Sequence, residues 1–182
     1  MASTTRRQFL EESMIAAAAA AIGVPQVCAE EAPRRAANDT IQHAVIGCRI
    51  RGKVHAREFA KLSGVEVAYV CDPDRELADE LAAAVEKEHG RRPQAVQDLR
   101  VIFDDPNIDT VSIAAPNHWH ALAAIWAMQS GKDVYVEKPV SNTIEEGQRM
   151  VQTARKTGRL CQAGTQNRSG GANPSHRNGS PC

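Results

Sequence analysis

The feature that most constrains this chain is an alternation of two periods. Short runs of β-branched and other apolar residues occupy 41–47, 65–71, 109–115 and 133–137, with two briefer ones at 94–96 and 159–163. Between them lie stretches whose apolar residues recur at helical spacing, at 53–63, 74–89, 118–129 and 144–156, with a helical turn at 99–103. In 74–89, Leu77, Leu81 and Val85 repeat every fourth position and mark one face. Gly158 ends the last helical stretch as a C-cap. Several strand segments are continuously apolar, as strands covered on both sides are. The pattern predicts an α/β fold: a doubly wound, Rossmann-type parallel sheet in a single domain over 41–164.

The two ends differ from this body. Thr4-Thr5-Arg6-Arg7-Gln8-Phe9-Leu10 precedes an uncharged, alanine-rich run at 14–24. That run is shorter than the ~20 residues needed to span a bilayer, so no stable membrane anchor is expected. Paired arginines ahead of a short apolar region read as a twin-arginine export signal over 1–29, cut after Ala29, which makes the protein periplasmic. Residues 30–40 read as a polar linker. Residues 165–182 are rich in Gly, Ser, Asn and Pro, and a disordered polar tail is expected there.

Composition removes some functions. Lys+Arg and Asp+Glu are both 22, so no basic stripe is available, and aromatics are only 4%. Nucleic acid is therefore not an expected partner. The five cysteines show no metal-knuckle spacing, and His118 and His120, two apart on a helix, point in different directions, so no metal site is expected. Cys71 and Cys161, in strand-like runs, read as small buried hydrophobes.

Chemistry concentrates where strands end. The first strand leads into Gly47-Cys48-Arg49-Ile50-Arg51-Gly52 and then a helix, the context of a dinucleotide fingerprint. Gly47 can make the tight turn, and Gly52 lets helix pack on strand. Arg49 stands where the fingerprint has its middle glycine, whose role is to admit the pyrophosphate to the backbone. Two readings of Arg49 follow: it crowds that approach, or it swings outward and pairs with phosphate. Asp72 ends the second strand, about 20 residues past the loop, where a carboxylate accepts from ribose hydroxyls and repels a 2′-phosphate. The same residue also suits a turn in Asp72-Pro73-Asp74 ahead of a helix. Pro116-Asn117-His118-Trp119-His120 follows the fourth strand. Asn117 and the histidines read either as contacts to a ligand in the crevice or as a helix N-cap with exposed rings. Glu137-Lys138-Pro139 follows the fifth strand, where a lysine either steadies a developing alkoxide or is a solvated turn residue.

Taken in order, VIGCRIRGKVHA, VAYVCDPD, VSIAAPNHWHA, VYVEKPVS and QAGTQ resemble the amino-terminal domain of the Gfo/Idh/MocA oxidoreductases. The resemblance runs over about 41–168. It implies NAD as cofactor, with NADP disfavoured by Asp72, and a sugar-like or polyol hydroxyl as the site of hydride removal. It also implies that Lys138 is the active-site lysine. The cofactor is then expected to be held by Gly47, Cys48, Arg49, Ile50, Gly52, Asp72, Pro116, Asn117, His120, Glu137 and Gln166. In that family a second α/β domain supplies substrate contacts, a proton acceptor and the oligomer interface. Residues 169–182 resemble none of it, so a truncated or frame-shifted chain, inactive as it stands, is expected. Two alternatives accompany the oxidoreductase reading: a non-catalytic nucleotide-binding or interaction module, and a fragment of an NAD-dependent glycosidase of the same family.

Overall fold

The computed structural model describes residues 40–165. The expected export signal, the expected linker before Thr40, the segment beyond Thr165, and with it Gln166, lie outside the described residues. Six strands and five helices alternate: β1 (Ile41–Ile46), α1 (Ile50–Ala60), β2 (Val65–Cys71), α2 (Arg75–His89), β3 (Gln94–Val96), α3 (Arg100–Asp104), β4 (Thr110–Ile113), α4 (Asn117–Gln129), β5 (Asp133–Glu137), α5 (Ile144–Thr157) and β6 (Cys161–Gly164).

All strand pairs are parallel and the sheet order is β3-β2-β1-β4-β5-β6. From β1 the chain moves outward through α1 to β2. It then returns to the other side of β1 and moves the opposite way through β4, α4 and β5. Because crossovers are right-handed, reversing direction puts the helices of the two halves on opposite faces. Two cores result. Val45, Val67 and Val70 meet Ala56 of α1 and Ala78, Leu81 and Val85 of α2. Ile46, Val111, Ile113, Val134 and Val136 meet α4 through Ala124 and Met128, and α5 through Met150. Each fully buried Val, Leu or Met side chain contributes about 1.5–3 kcal/mol.

Helix ends follow local chemistry. The Asp74 carboxylate accepts the Glu76 N–H and starts α2. Thr143 and Glu146 form a reciprocal capping box at α5, and Gly158, at φ 68°, closes that helix as the sequence predicts. Helix α1 begins at Ile50, three residues before the apolar period suggests, because its first turn is largely solvent-facing: Ile50, Arg51 and Lys53 are exposed and carry no periodic signal. Cys48 and Cys71 are buried, whereas Cys161 on edge strand β6 is half-buried. Among the described residues, no helix is long and apolar enough to cross a membrane.

Candidate functional site

The sheet reverses direction between β1 and β4, and a crevice opens beyond the carboxyl ends of the strands there. It is a cavity of about 880 Å3. Its walls are the β1–α1 loop, the end of β2, residues 97–100 after β3, the end of β4, and Trp119 and Trp126 of α4.

Two glycines shape the loop. Gly47 has φ 92°, and a Cβ there would lie 2.7 Å from the Ala114 carbonyl group and from Ala115 N. Handedness and space both demand glycine. A Cβ on Gly52 would lie 1.7 Å from the Gly47 carbonyl oxygen, so α1 approaches β1 backbone to backbone. Arg49 differs. Its backbone is ordinary and extended, at φ −79°, so the missing middle glycine costs the loop no strain; it places a long cation on the cavity wall. No acidic residue of its own occupies the first turn of α1. Ile50 is exposed at the cavity rim.

Asp72 is almost buried at the end of β2 and also lines the cavity. Its Oδ2 accepts the Cys48 N–H at 2.9 Å and its Oδ1 accepts the Asp74 N–H at 3.0 Å. The carboxylate therefore organises the turn, and each oxygen keeps a further lone pair beside the cavity. Cys48 contributes its N–H, not its thiol. Burial first, then the Asp72 charge, pushes that thiol up to about 12, so it stays neutral.

The other predicted residues divide. Pro116 lines the cavity, and Asn117 is the exposed first residue of α4, whose N-cap position belongs to Pro116 without a side-chain cap. His120 is buried and is absent from the cavity wall. Its Nδ1 faces the Pro139 carbonyl at 2.6 Å and its Nε2 faces the Ala115 carbonyl at 2.7 Å, so the ring links the β4–α4 and β5–α5 connections. Lys138 is exposed just past β5, and its bond to Pro139 is cis. Glu137 is buried away from the cavity wall. Its Oε1 accepts from Arg51 Nε at 2.9 Å and from His55 Nε2 at 3.0 Å.

Sequence reasoning passed over Arg51, His55, Trp119, Trp126 and residues 97–100. The last group was findable in principle: β3 neighbours β2, so whatever follows β3 must stand beside Asp72. Nothing local in the sequence marked the others.

Residues 41–165 match the family described as "Oxidoreductase family, NAD-binding Rossmann fold". The chain belongs to the Gfo/Idh/MocA oxidoreductase family. A "Glycosyl hydrolase family 109 protein" of Shewanella pealeana is 33% identical over 176 residues, 86% of this chain and 38% of that relative. Among solved structures, UDP-N-acetylglucosamine 3-dehydrogenase GnnA from Acidithiobacillus ferrooxidans superposes with a TM-score of 0.61 at 27% identity, covering 69% of this chain and 38% of that one. Myo-inositol 2-dehydrogenase from Lactobacillus plantarum gives 0.62 at 26% identity, covering 72% and 38%. The chain thus spans 38% of the length of the glycosyl hydrolase relative. The part described here is the NAD-binding Rossmann domain of a Gfo/Idh/MocA protein.

Proposed function

We propose that this domain binds NAD in preference to NADP and serves the oxidation of a sugar-like or polyol hydroxyl. The observation that carries the reading is the cavity at the β1/β4 reversal, with Gly47 and Gly52 allowing close backbone approach and Asp72 at its wall. The residues present fit a dinucleotide. The first turn of α1 would face the pyrophosphate. Asp72 would accept from the adenosine ribose hydroxyls, and its charge would oppose a 2′-phosphate. Trp119, Trp126 and residues 97–100 would enclose the adenine end. Lys138, at the end of β5, would donate to the substrate oxygen and stabilise negative charge developing there. The bound nicotinamide would supply hydride acceptance.

The test is titration of the full chain with NAD and NADP, read by tryptophan fluorescence, since both tryptophans line the cavity. NAD is expected to bind more tightly, and Asp72→Ser is expected to narrow the difference. Tighter NADP binding by the native chain would overturn the assignment.

The Shewanella pealeana relative favours a second reading, in which transient oxidation at the same cofactor assists cleavage of a glycoside. Release of an aryl glycoside without net NADH would single out this reading. Steady NADH formation from free sugars would single out the first. Export through Arg6 and Arg7 is part of the same proposal. It predicts that replacing both with Lys retains the protein in the cytoplasm, and unchanged fractionation would defeat it.

A further inference from the structure

Glu137 is the residue before Lys138, and its carboxylate is buried at 4% exposure. A buried carboxylate keeps its charge only where partners replace water. Two of those partners come from one helix. Arg51 and His55 stand four residues apart on α1 and so project from the same side. Both reach Oε1 of Glu137, across more than eighty residues of chain. Burial holds the His55 imidazole below its ordinary value, against the opposing pull of the Glu137 hydrogen bond. The hydrogen bond to a carboxylate then assigns the proton to Nε2. His55 Nδ1 is buried without a hydrogen-bond partner among the described residues, so the ring's hydrogen bonding is directed at Glu137, while its edge packs against Tyr135.

The second carboxylate oxygen faces the other way along the chain. Glu137 Oε2 accepts the backbone N–H of Lys138 at 3.3 Å. One residue further on, the Pro139 carbonyl faces His120 Nδ1 at 2.6 Å. Three consecutive residues are thus fixed by a side chain, an N–H and a carbonyl, while the Lys138 side chain stays exposed.

We propose that Arg51 and His55 are positioning residues for Lys138, acting through the Glu137 carboxylate. They fix the peptide from which the lysine amine departs. Arg51 also lines the cavity, so the same carboxylate ties the phosphate end of the site to its lysine end. The importance of Lys138 rests on the function proposed above; the clamp itself is a property of the chain without cofactor.

The experiment measures backbone hydrogen exchange over residues 137–139 of the full chain, read at the Glu137 and Lys138 amides because Pro139 carries none, with and without NAD, and the labelling rate of the Lys138 amine by an amine-reactive acetylating reagent. Exchange in α2 is the internal reference. His55→Ala is expected to speed exchange over 137–139 at least tenfold with α2 unchanged, and to abolish any protection of the Lys138 amine by NAD. His55→Gln keeps an N–H donor at the Nε2 position and is expected to restore both readings. Unchanged exchange in His55→Ala, or failure of a folded His55→Gln to rescue it, would overturn the proposal. If His55→Ala does not fold, Glu137→Gln decides. It keeps an oxygen toward the α1 donors but sets an NH2 against the Lys138 N–H, so exchange at 137–139 should still accelerate; native-like exchange would reject the clamp. Failure of the native chain to bind NAD would refute the proposed function and leave the cofactor-free comparison standing.

Discussion

Gly52→Ala is the sharpest available perturbation of this domain. The added Cβ would sit 1.7 Å from the Gly47 carbonyl oxygen and 2.7 Å from its carbon. Reaching even a 3.0 Å separation requires α1 to retreat by about 1.3 Å, and the obstacle is backbone, which no rotamer change relieves. Gaps of 0.5–1 Å already forfeit a quarter to a half of a dispersion contact. The retreat therefore weakens the packing of Val45 on Ala56 as well as the reach of Arg51 and His55 to Glu137. Overpacking typically costs about 1–3 kcal/mol, and a rigid clash belongs at the upper end, about 3 kcal/mol. For a domain of this size each kcal/mol lowers the melting temperature by roughly 3–6 °C, so a fall of about 9–18 °C is expected. Urea and thermal denaturation followed by circular dichroism measure it. Ile50→Ala, on the same turn but 83% exposed, is the control and should stay within about 0.5 kcal/mol of native. A loss below about 1 kcal/mol in Gly52→Ala would show that α1 does not depend on this approach.

Arg49→Gly should tighten NAD binding severalfold by calorimetry, since a Cβ and a long side chain stand where backbone approach is needed; weaker binding with a flatter salt dependence would show that Arg49 pairs with phosphate instead. Lys132 is 2% exposed, and its Nζ donates to the Asp105 carbonyl at 2.8 Å and the Ile108 carbonyl at 3.2 Å. Lys132→Met strands those acceptors and should cost about 1–3 kcal/mol in urea denaturation, whereas native-like stability would mean the carbonyls find other donors. Acid should also act through His43, which lies between Thr110 and Ser112 and which burial, with His55 adding to it, pushes down to about 3. Between an unfolded value near 6.5 and that folded value, only the unfolded chain takes up the proton. Stability is then complete above about pH 6.5 and falls as pH drops, by up to about 1.4 kcal/mol per unit, and a flat stability profile from pH 6.5 to 4 would contradict this.

The fold was legible because each strand buried on both faces wrote itself as an apolar run, and each helix as a period. Val111, Ile113, Val134 and Val136 are buried for the reason their sequence suggests. Asp72 was legible because its spacing from the glycine loop is set by one βαβ unit. The Glu137 clamp was not. Its members are separated by 82 and 86 positions, and each alone reads as a solvated charge or a helix histidine. The same holds for His120, whose partners are backbone carbonyls that no side-chain pattern encodes. Nothing local marks Trp119 and Trp126 either, and both are partly exposed on the cavity side. Local periods determine which residues are covered; they carry no information about which distant element supplies the cover.

The strand order has a consequence for how the chain assembles. β1 and β2 pair across 24 positions, and β4 and β5 across 23, so each half closes through a short excursion. The seam between the halves, His43 against Thr110, spans 67. Loop-closure entropy makes that seam costlier by about 0.9 kcal/mol than either local pairing. The two halves are therefore poised to form first and to join last along β1 and β4. The cavity opens at that joint, so a molecule seated in it bridges two folding units and acts as a brace against their separation.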